Sequence, residues 1–236
     1  MDRIQINGVE IDNVTLDGAV KFALLEREYP CTVVTPNAVM LEACRHNPEF
    51  ADLLNRATLS LPDGAGVVWE ARRKGTPLRE RVAGIEFGET LCSVAEQMML
   101  SVFFLGGREG VAERAAFRLQ EKYPYLKVVG AAHGYFEKEG GENAAVLQQL
   151  QAVKPDILFV CFGFPMQEQW LFQNISALPF LRIAACLGGS LDVWSGGIKR
   201  APKMLSRFGL EWAWRMLREP KRLKQLPSLL RFAIKN

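Results

Sequence analysis

The sequence is poor in the residues that hold metals. It has two histidines, His46 and His133, far apart and without a paired Cys or Glu spacing. Aspartate is scarce, seven in all, and no Asp-x-Asp occurs. A dedicated metal site is therefore not expected. The five cysteines, Cys31, Cys44, Cys92, Cys161 and Cys186, are odd in number and form no Cys-x-x-Cys. That argues against a zinc cluster or a disulfide framework and for a reducing cytoplasm. No apolar run reaches the ~18 residues of a membrane span, and the start, Met1-Asp2-Arg3-Ile4-Gln5, lacks the apolar stretch of a secretory signal. Neither Gly-x-Gly-x-x-Gly nor Gly-x-x-x-x-Gly-Lys-Ser/Thr is present. An NAD site of the usual type and a P-loop both lose support. There is no internal repeat and no low-complexity stretch.

What is present is an ordinary globular composition: 49% hydrophobic and 23% charged residues over 236 positions, enough to build a core. The net charge of +3 hides an asymmetry. Residues 199–236 hold eleven Lys/Arg against Glu211 and Glu219, a charge of +9, whereas residues 1–198 carry −6. A basic tail on an acidic body points to an anionic partner: a nucleic acid, a membrane surface or a phosphorylated substrate.

The first residues, Ile4 to Ile11, alternate around Asn7-Gly8 and predict a β-hairpin. Thr15 caps a helix running to about Arg27. Strands are expected over 31–35, 58–61, 102–105, 127–131, 157–161 and 183–187. Helices are expected over 39–46, 49–56, 65–74, 86–99, 109–122, 142–153 and 166–174, with Pro48 and Pro165 at first helical positions. This alternation predicts an α/β fold with a mostly parallel, Rossmann-like sheet and flanking helices. It stops near residue 195. Residues 1–198 therefore read as the α/β body, and 199–236 as a basic appendage of short amphipathic helices cut by Pro202, Pro220 and Pro227. Trp212, Trp214, Met216 and Leu217 give one apolar cluster there, and Leu223, Leu226 and Leu230 another.

Ligands of open α/β sheets bind beyond the carboxyl ends of the strands. The turns at those ends hold Thr35-Pro36-Asn37, Pro62-Asp63-Gly64, Gly106-Gly107, His133-Gly134-Tyr135-Phe136, Gly163-Phe164-Pro165-Met166-Gln167 and Gly188-Gly189-Ser190-Leu191-Asp192. Glycine turns that open helices bring backbone N–H groups toward an anion. Several such turns on one edge favour a nucleotide-sized ligand over mere tight turns. Asp63, between Pro62 and Gly64, reads equally as a general base or as the N-cap of the following helix. Thr35 and Asn37 have a capping role as their plain alternative. Arg79 and Arg81 are solvated loop charges or a phosphate clamp. Gln167 can reach a ligand from the first turn of its helix, His133 reads as a turn residue, and Trp69 and Trp170 read as core.

These residues also carry a resemblance. Thr35-Pro36-Asn37-Ala38-Val39-Met40-Leu41, Leu61-Pro62-Asp63-Gly64-Ala65-Gly66, Arg81-Val82-Ala83-Gly84 and Phe104-Leu105-Gly106-Gly107 resemble the WecG/TagA/CpsF glycosyltransferases. So do His133-Gly134-Tyr135-Phe136, Gly163-Phe164-Pro165-Met166-Gln167-Glu168, Gly188 through Gly196, Arg200-Ala201-Pro202, Gly209 through Trp212 and Arg218-Glu219-Pro220. The match runs in order along nearly the whole chain. It implies sugar transfer from a UDP-sugar to an undecaprenyl-diphosphate-linked acceptor at the inner membrane face. The best-known such reaction adds N-acetylmannosamine to N-acetylglucosaminyl-diphospho-undecaprenol in teichoic acid synthesis.

The resemblance makes Asp63 the general base. It places Thr35, Asn37 and Gln167 in the sugar and acceptor pocket and Arg81 at a phosphate. Gly106, Gly107, Tyr135, Phe136, Gly163, Phe164, Gly188, Gly189 and Asp192 become substrate-binding. Arg215 and Arg222 match arginines that reach the lipid diphosphate. A third arginine common in relatives is replaced by Gln225, with Lys224 beside it. The family also implies homo-oligomers in solution and a monomer at the membrane with its tail over the site.

The chemistry fits a single inverting displacement with one essential carboxylate and no cofactor. Without Asp-x-Asp, leaving-group charge falls to Arg81, the tail arginines and the glycine-turn amides. The tail suits a diphosphate and an anionic membrane surface, worth ~1 kcal/mol per basic residue near it. Other UDP-sugars, N-acetylmannosaminuronic acid or glucose, would leave the same residues. A nucleic-acid-binding module or a non-catalytic membrane scaffold are the rivals from other classes. Against the first stand the acidic body and the lack of a basic, aromatic sheet face.

Overall fold

The structure, a computed structural model, describes residues 2–199, 214 and 226–235. Strands β1 (Arg3–Ile6) and β2 (Val9–Asp12) pair antiparallel with Ile6 opposite Val9. Asn7 and Gly8 both have positive φ, 49° and 82°, the turn backbone that matches strand twist. Thr15 caps α1 (Leu16–Ala23) by accepting from the Gly18 N–H. This helix stops four residues short of the expected Arg27, whose guanidinium folds back instead onto the Phe22 and Leu25 carbonyls.

Six further strands form one parallel sheet: β3 (Cys31–Val34), β4 (Leu59–Ser60), β5 (Ser101–Gly106), β6 (Lys127–Ala132), β7 (Ile157–Cys161) and β8 (Ile183–Cys186). Their spatial order is β4-β3-β8-β7-β5-β6. The central strands are buried at every position because helices cover both faces. Between them run α2 (Ala38–His46), α3 (Pro48–Asn55), α4 (Ala65–Arg73), α5 (Gly84–Gln97), α6 (Val111–Lys122), α7 (Gly140–Val153), α8 (Met166–Asn174) and α9 (Ser190–Trp194).

Strand periodicity divides the core. Ile157 and Phe159 of β7 face α5, α6 and α9 through Phe87, Leu91, Leu119 and Trp194. Leu158 and Val160 face the opposite layer, against Trp170 and Leu171 of α8 and Leu150 of α7. On that second face, Leu41 of α2, Leu54 of α3 and Val67 of α4 pack with the hairpin residues Ile6, Val9 and Ile11. Gly88 of α5 is small of necessity, since a Cβ there would lie 2.6 Å from the Trp194 ring.

The hairpin also closes one edge of the sheet. Asp12 is buried and accepts from the Ser60 N–H of β4 at 2.8 Å, while its other oxygen takes Arg3 Nε at 2.9 Å. Arg3 reaches on to the Thr58 carbonyl.

After β3 the chain passes into α2 on one face, while after the adjacent β8 it passes into α9 on the other. The connections part between β3 and β8, which makes this a topological switch point, the place where open α/β sheets bind ligands beyond the carboxyl ends.

The expected elements are present with ends within about two residues, the early end of α1 apart. Two short ones, α9 and a 3₁₀ turn at Ile175–Ala177, go beyond the expectation. Pro48 opens α3 as expected, but Pro165 stands before α8, after a cis peptide bond from Phe164. Trp170 is core. Trp69 is not: it is 47% exposed, with the Arg73 guanidinium 6.0 Å from its ring.

Of the tail, helix α10 (Leu226–Lys235) packs along α2. Its anchor is Phe232, 2% exposed among residues of α2, α3 and α4, with Leu229 beside it. Leu230, expected within the apolar cluster, is exposed. Trp214 Nε1 donates to the Lys199 carbonyl at 3.1 Å. Trp212, Met216, Leu217, Leu223, Arg215 and Arg222 lie outside the described residues.

Candidate active site

Backbone bonds lace three segments together beside the switch point. The Asp63 N–H donates to the Pro36 carbonyl at 3.1 Å, and the Val82 N–H donates to the Pro62 carbonyl at 3.0 Å. Thr35-Pro36-Asn37, Pro62-Asp63-Gly64 and Arg81-Val82 therefore meet at the end of β3. Thr35 Oγ1 donates across to the Cys186 carbonyl at 3.1 Å and ties this group to β8. Gly84 fits against Thr35 because it lacks a side chain; a Cβ there would lie 2.9 Å from Thr35 Cγ2.

The structure shows the capping role at two positions. Asn37 caps α2, accepting from the Val39 and Met40 N–H groups at 3.0 and 3.2 Å. Asp63 does not cap α4: the cap residue is Gly64, φ 96°, and among the described residues no side chain caps that helix. Asp63 is half-buried. Arg81, also half-buried, has Nη2 3.8 Å from Glu86 Oε1 of α5, whose first turn again has no side-chain cap. Two helices of nine and fourteen residues thus begin beside Asp63 and Arg81 without side-chain caps among the described residues. Uncapped helix starts leave backbone donors and a partial positive charge for an anion.

Gln167, in the first turn of α8, is 2% exposed. Its Oε1 accepts from the Gly163 N–H at 3.2 Å and the Gly188 N–H at 3.1 Å, and its Nε2 donates to Glu168 Oε1 at 2.7 Å. It joins the turns after β7 and β8. Both glycines have positive φ, 88° and 56°, and open space where a Cβ would stand.

At three of the glycine turns one amide already has a partner within the protein. The Gly163 and Gly188 N–H groups are taken by Gln167, and the Gly107 N–H donates to the Cys161 carbonyl at 3.2 Å.

The other expected residues have the following surroundings. Gly106 packs against the Cys161 backbone and Gly107 against Val111, so close approach accounts for both glycines. Phe136 packs edge-on against Phe162 and Trp170, with Lys138 Nζ 3.5 Å from its ring centre. Burial holds the Lys138 ammonium below its ordinary pKa. Tyr135 is 72% exposed, and its N–H donates to His133 Nδ1, so His133 is a turn residue. Phe164 stacks edge-on against Phe50 of α3. Gly189 precedes α9, and the Asp192 carbonyl in that helix accepts from the Ile198 N–H. All five cysteines are buried and unbridged. Burial pushes the Cys161 thiol up to about 12, far from a nucleophile's range.

Glu168 is the residue the sequence reading passes over. It is wholly buried, and burial pushes its carboxyl up to about 7. The signal was available, because Leu171 and Phe172 follow at three and four positions and put Glu168 on the buried face of α8.

The model of the Glycosyl transferase WecG/TagA/CpsF family matches residues 4–235. A protein of Bacillus spizizenii named N-acetylglucosaminyldiphosphoundecaprenol N-acetyl-beta-D-mannosaminyltransferase is 31% identical over 228 residues, covering 97% of this chain and 87% of that protein. One of the same name from Staphylococcus aureus is 31% identical over 237 residues, covering 99% and 91%. A six-stranded parallel sheet, the residues gathered at its switch point and a match along almost the whole length agree: the chain belongs to the WecG/TagA/CpsF glycosyltransferase family.

Proposed function

We propose that the chain transfers N-acetylmannosamine from UDP-N-acetylmannosamine to N-acetylglucosaminyl-diphospho-undecaprenol, with inversion at the sugar. The observation that carries this reading is the Val82–Pro62 bond, which holds Asp63 and Arg81 on one turn at the β3/β8 switch point. In one displacement Asp63 takes the proton of the acceptor hydroxyl. The hydroxyl oxygen forms its bond to the anomeric carbon as the bond to UDP breaks. UDP leaves with the electron pair. Its growing charge is met by Arg81, by the uncapped starts of α4 and α5, and by Arg215 and Arg222 of the tail. Thr35 and Asn37 fix the ends of β3 and α2 around the sugar, and Gln167 holds the far wall.

The names of the relatives support the acceptor and the sugar; the glycosyltransferase class supports a nucleotide-sugar donor. Among the described residues no helix is long and apolar enough to cross a membrane. A peripheral enzyme at the inner membrane face, drawn to anionic lipid by its basic tail, fits that. UDP release, measured with a short-chain lipid-diphosphate acceptor and a panel of UDP-sugars, tests the reading. Turnover should be highest with UDP-N-acetylmannosamine. Highest turnover with a uronic acid or glucose donor would reassign the sugar, and no release with any donor would overturn the reading.

A further inference from the structure

Gln167 is buried between two demands. On one side the Gly163 and Gly188 N–H groups, both donors, converge on Oε1 at 3.2 and 3.1 Å. On the other, Nε2 donates to Glu168 Oε1 at 2.7 Å. A primary amide has nearly the same shape when flipped but opposite chemistry at its two ends. Flipped, it would aim two backbone donors at an NH₂ group. Glu168 Oε1 accepts from Nε2, and together with the two backbone donors it holds the amide in this orientation. The second carboxylate oxygen, Oε2, is buried with no hydrogen-bond partner among the described residues. An unpaired buried polar atom is costly, and Leu171, Phe172 and Trp170 nearby show that an apolar side chain would suit this helix.

We propose that Glu168 is a positioning residue. By fixing the Gln167 amide it locks the turn after β7 to the turn after β8 and sets the spacing of Gly163 and Gly188 at the wall of the donor site. This rests on the sugar-transfer reading for what occupies that wall, but not for the bridge itself. The turns are separate in sequence, and this side chain is what the structure places between them. Glu168 touches no substrate; its effect passes through Gln167 to the glycine turns.

UDP binding to the full chain, measured by titration calorimetry without acceptor, tests this with two variants. Glu168→Met keeps the volume and removes the acceptor; the Kd for UDP should rise about tenfold or more, ~1.4 kcal/mol per factor of ten. Glu168→Gln keeps an acceptor oxygen and should rescue affinity to within about threefold of wild type. A folded Glu168→Met protein that binds UDP as wild type does overturns the proposal, as does a Glu168→Gln protein as weak as the Met variant. If the Met variant does not fold, amide hydrogen exchange at Gly163 and Gly188 in wild type and Glu168→Gln decides. Slow exchange at both supports the bridge, and exchange at open-loop rates overturns it. A wild type that fails to bind UDP strikes the sugar-transfer reading, while the exchange measurement still decides the bridge.

Discussion

Asp63 and Arg81 are joined through their neighbours: the Pro62 carbonyl accepts from the Val82 N–H at 3.0 Å, so the loop bearing the arginine cannot drift from the turn bearing the carboxylate. On the proposed reading, a base and a phosphate-binding cation fixed to one backbone bond would keep their separation through a catalytic cycle. That is the economy of preorganisation.

Replacing Asp63 by Asn should lower turnover by about 10²–10⁴, the usual worth of a positioned base. Because Gly64 rather than Asp63 caps α4, thermal stability and the Kd for UDP should stay close to wild type. Turnover near normal in this variant would remove Asp63 from the chemistry.

Transfer should persist in excess EDTA. The expectation rests on a sequence without Asp-x-Asp and on the arginines offered in its place. A rate that collapses and returns with magnesium or manganese would contradict it.

Glu168 gives stability an unusual pH dependence. Its carboxyl is raised from 4.5 to about 7 by burial. The folded state therefore binds its proton more tightly than the unfolded state does. The stabilisation is fully present below about 4.5 and is lost as pH rises to about 7, where the gap amounts to roughly 3 kcal/mol. The nearby Cys44 thiol is pushed up to about 12 and that of Cys186 also lies far above its ordinary range, so neither titrates in this window. Glu168→Gln should be more stable than wild type at pH 8 and lose most of that advantage by pH 5, measured by denaturant unfolding. A difference independent of pH would show that the carboxyl does not titrate there.

Phe232→Ala should release α10 from α2 before it unfolds the body. Truncating a buried phenylalanine costs about 3–5 kcal/mol, and here the cost falls on one short terminal helix. Hydrogen exchange should rise over residues 226–235 and stay slow in β5 and β7. Arg215→Ala and Arg222→Ala should cost more in turnover than in binding to anionic vesicles, since each removes one of eleven tail charges but, on the proposed reading, one specific phosphate contact. Lys221→Ala is the matched control. Equal losses in all three would make the tail a tether only.

The parallel sheet is legible in the sequence because strands covered on both faces must be apolar throughout, as Ile157-Leu158-Phe159-Val160 is. The hairpin is legible because Asn-Gly supplies two positive-φ residues. Helix α9 is five residues long, too short to show a period. Trp69 misleads because an apolar neighbour, Val68, suggests a buried stripe that the helix does not have there. The site residues are legible as residue types at strand ends, but not their bonds. Thr35 meets Cys186 across 151 positions and Gln167 meets Gly188 across 21, and both depend on β3, β8 and β7 being neighbours. Strand order is a long-range fact that no local pattern carries.

The hairpin bears on solubility as well as on packing. Strand β4 is the outermost on its side and only two residues long, and the Ser60 N–H that would be left open goes to Asp12. An open edge is a template for another chain's strand. Asp12 fills it with a side chain, which adds no further backbone edge, and Arg3 covers the Thr58 carbonyl alongside. Loss of residues 1–12 would leave this short edge of the sheet unprotected beside the candidate site, and self-association would begin there.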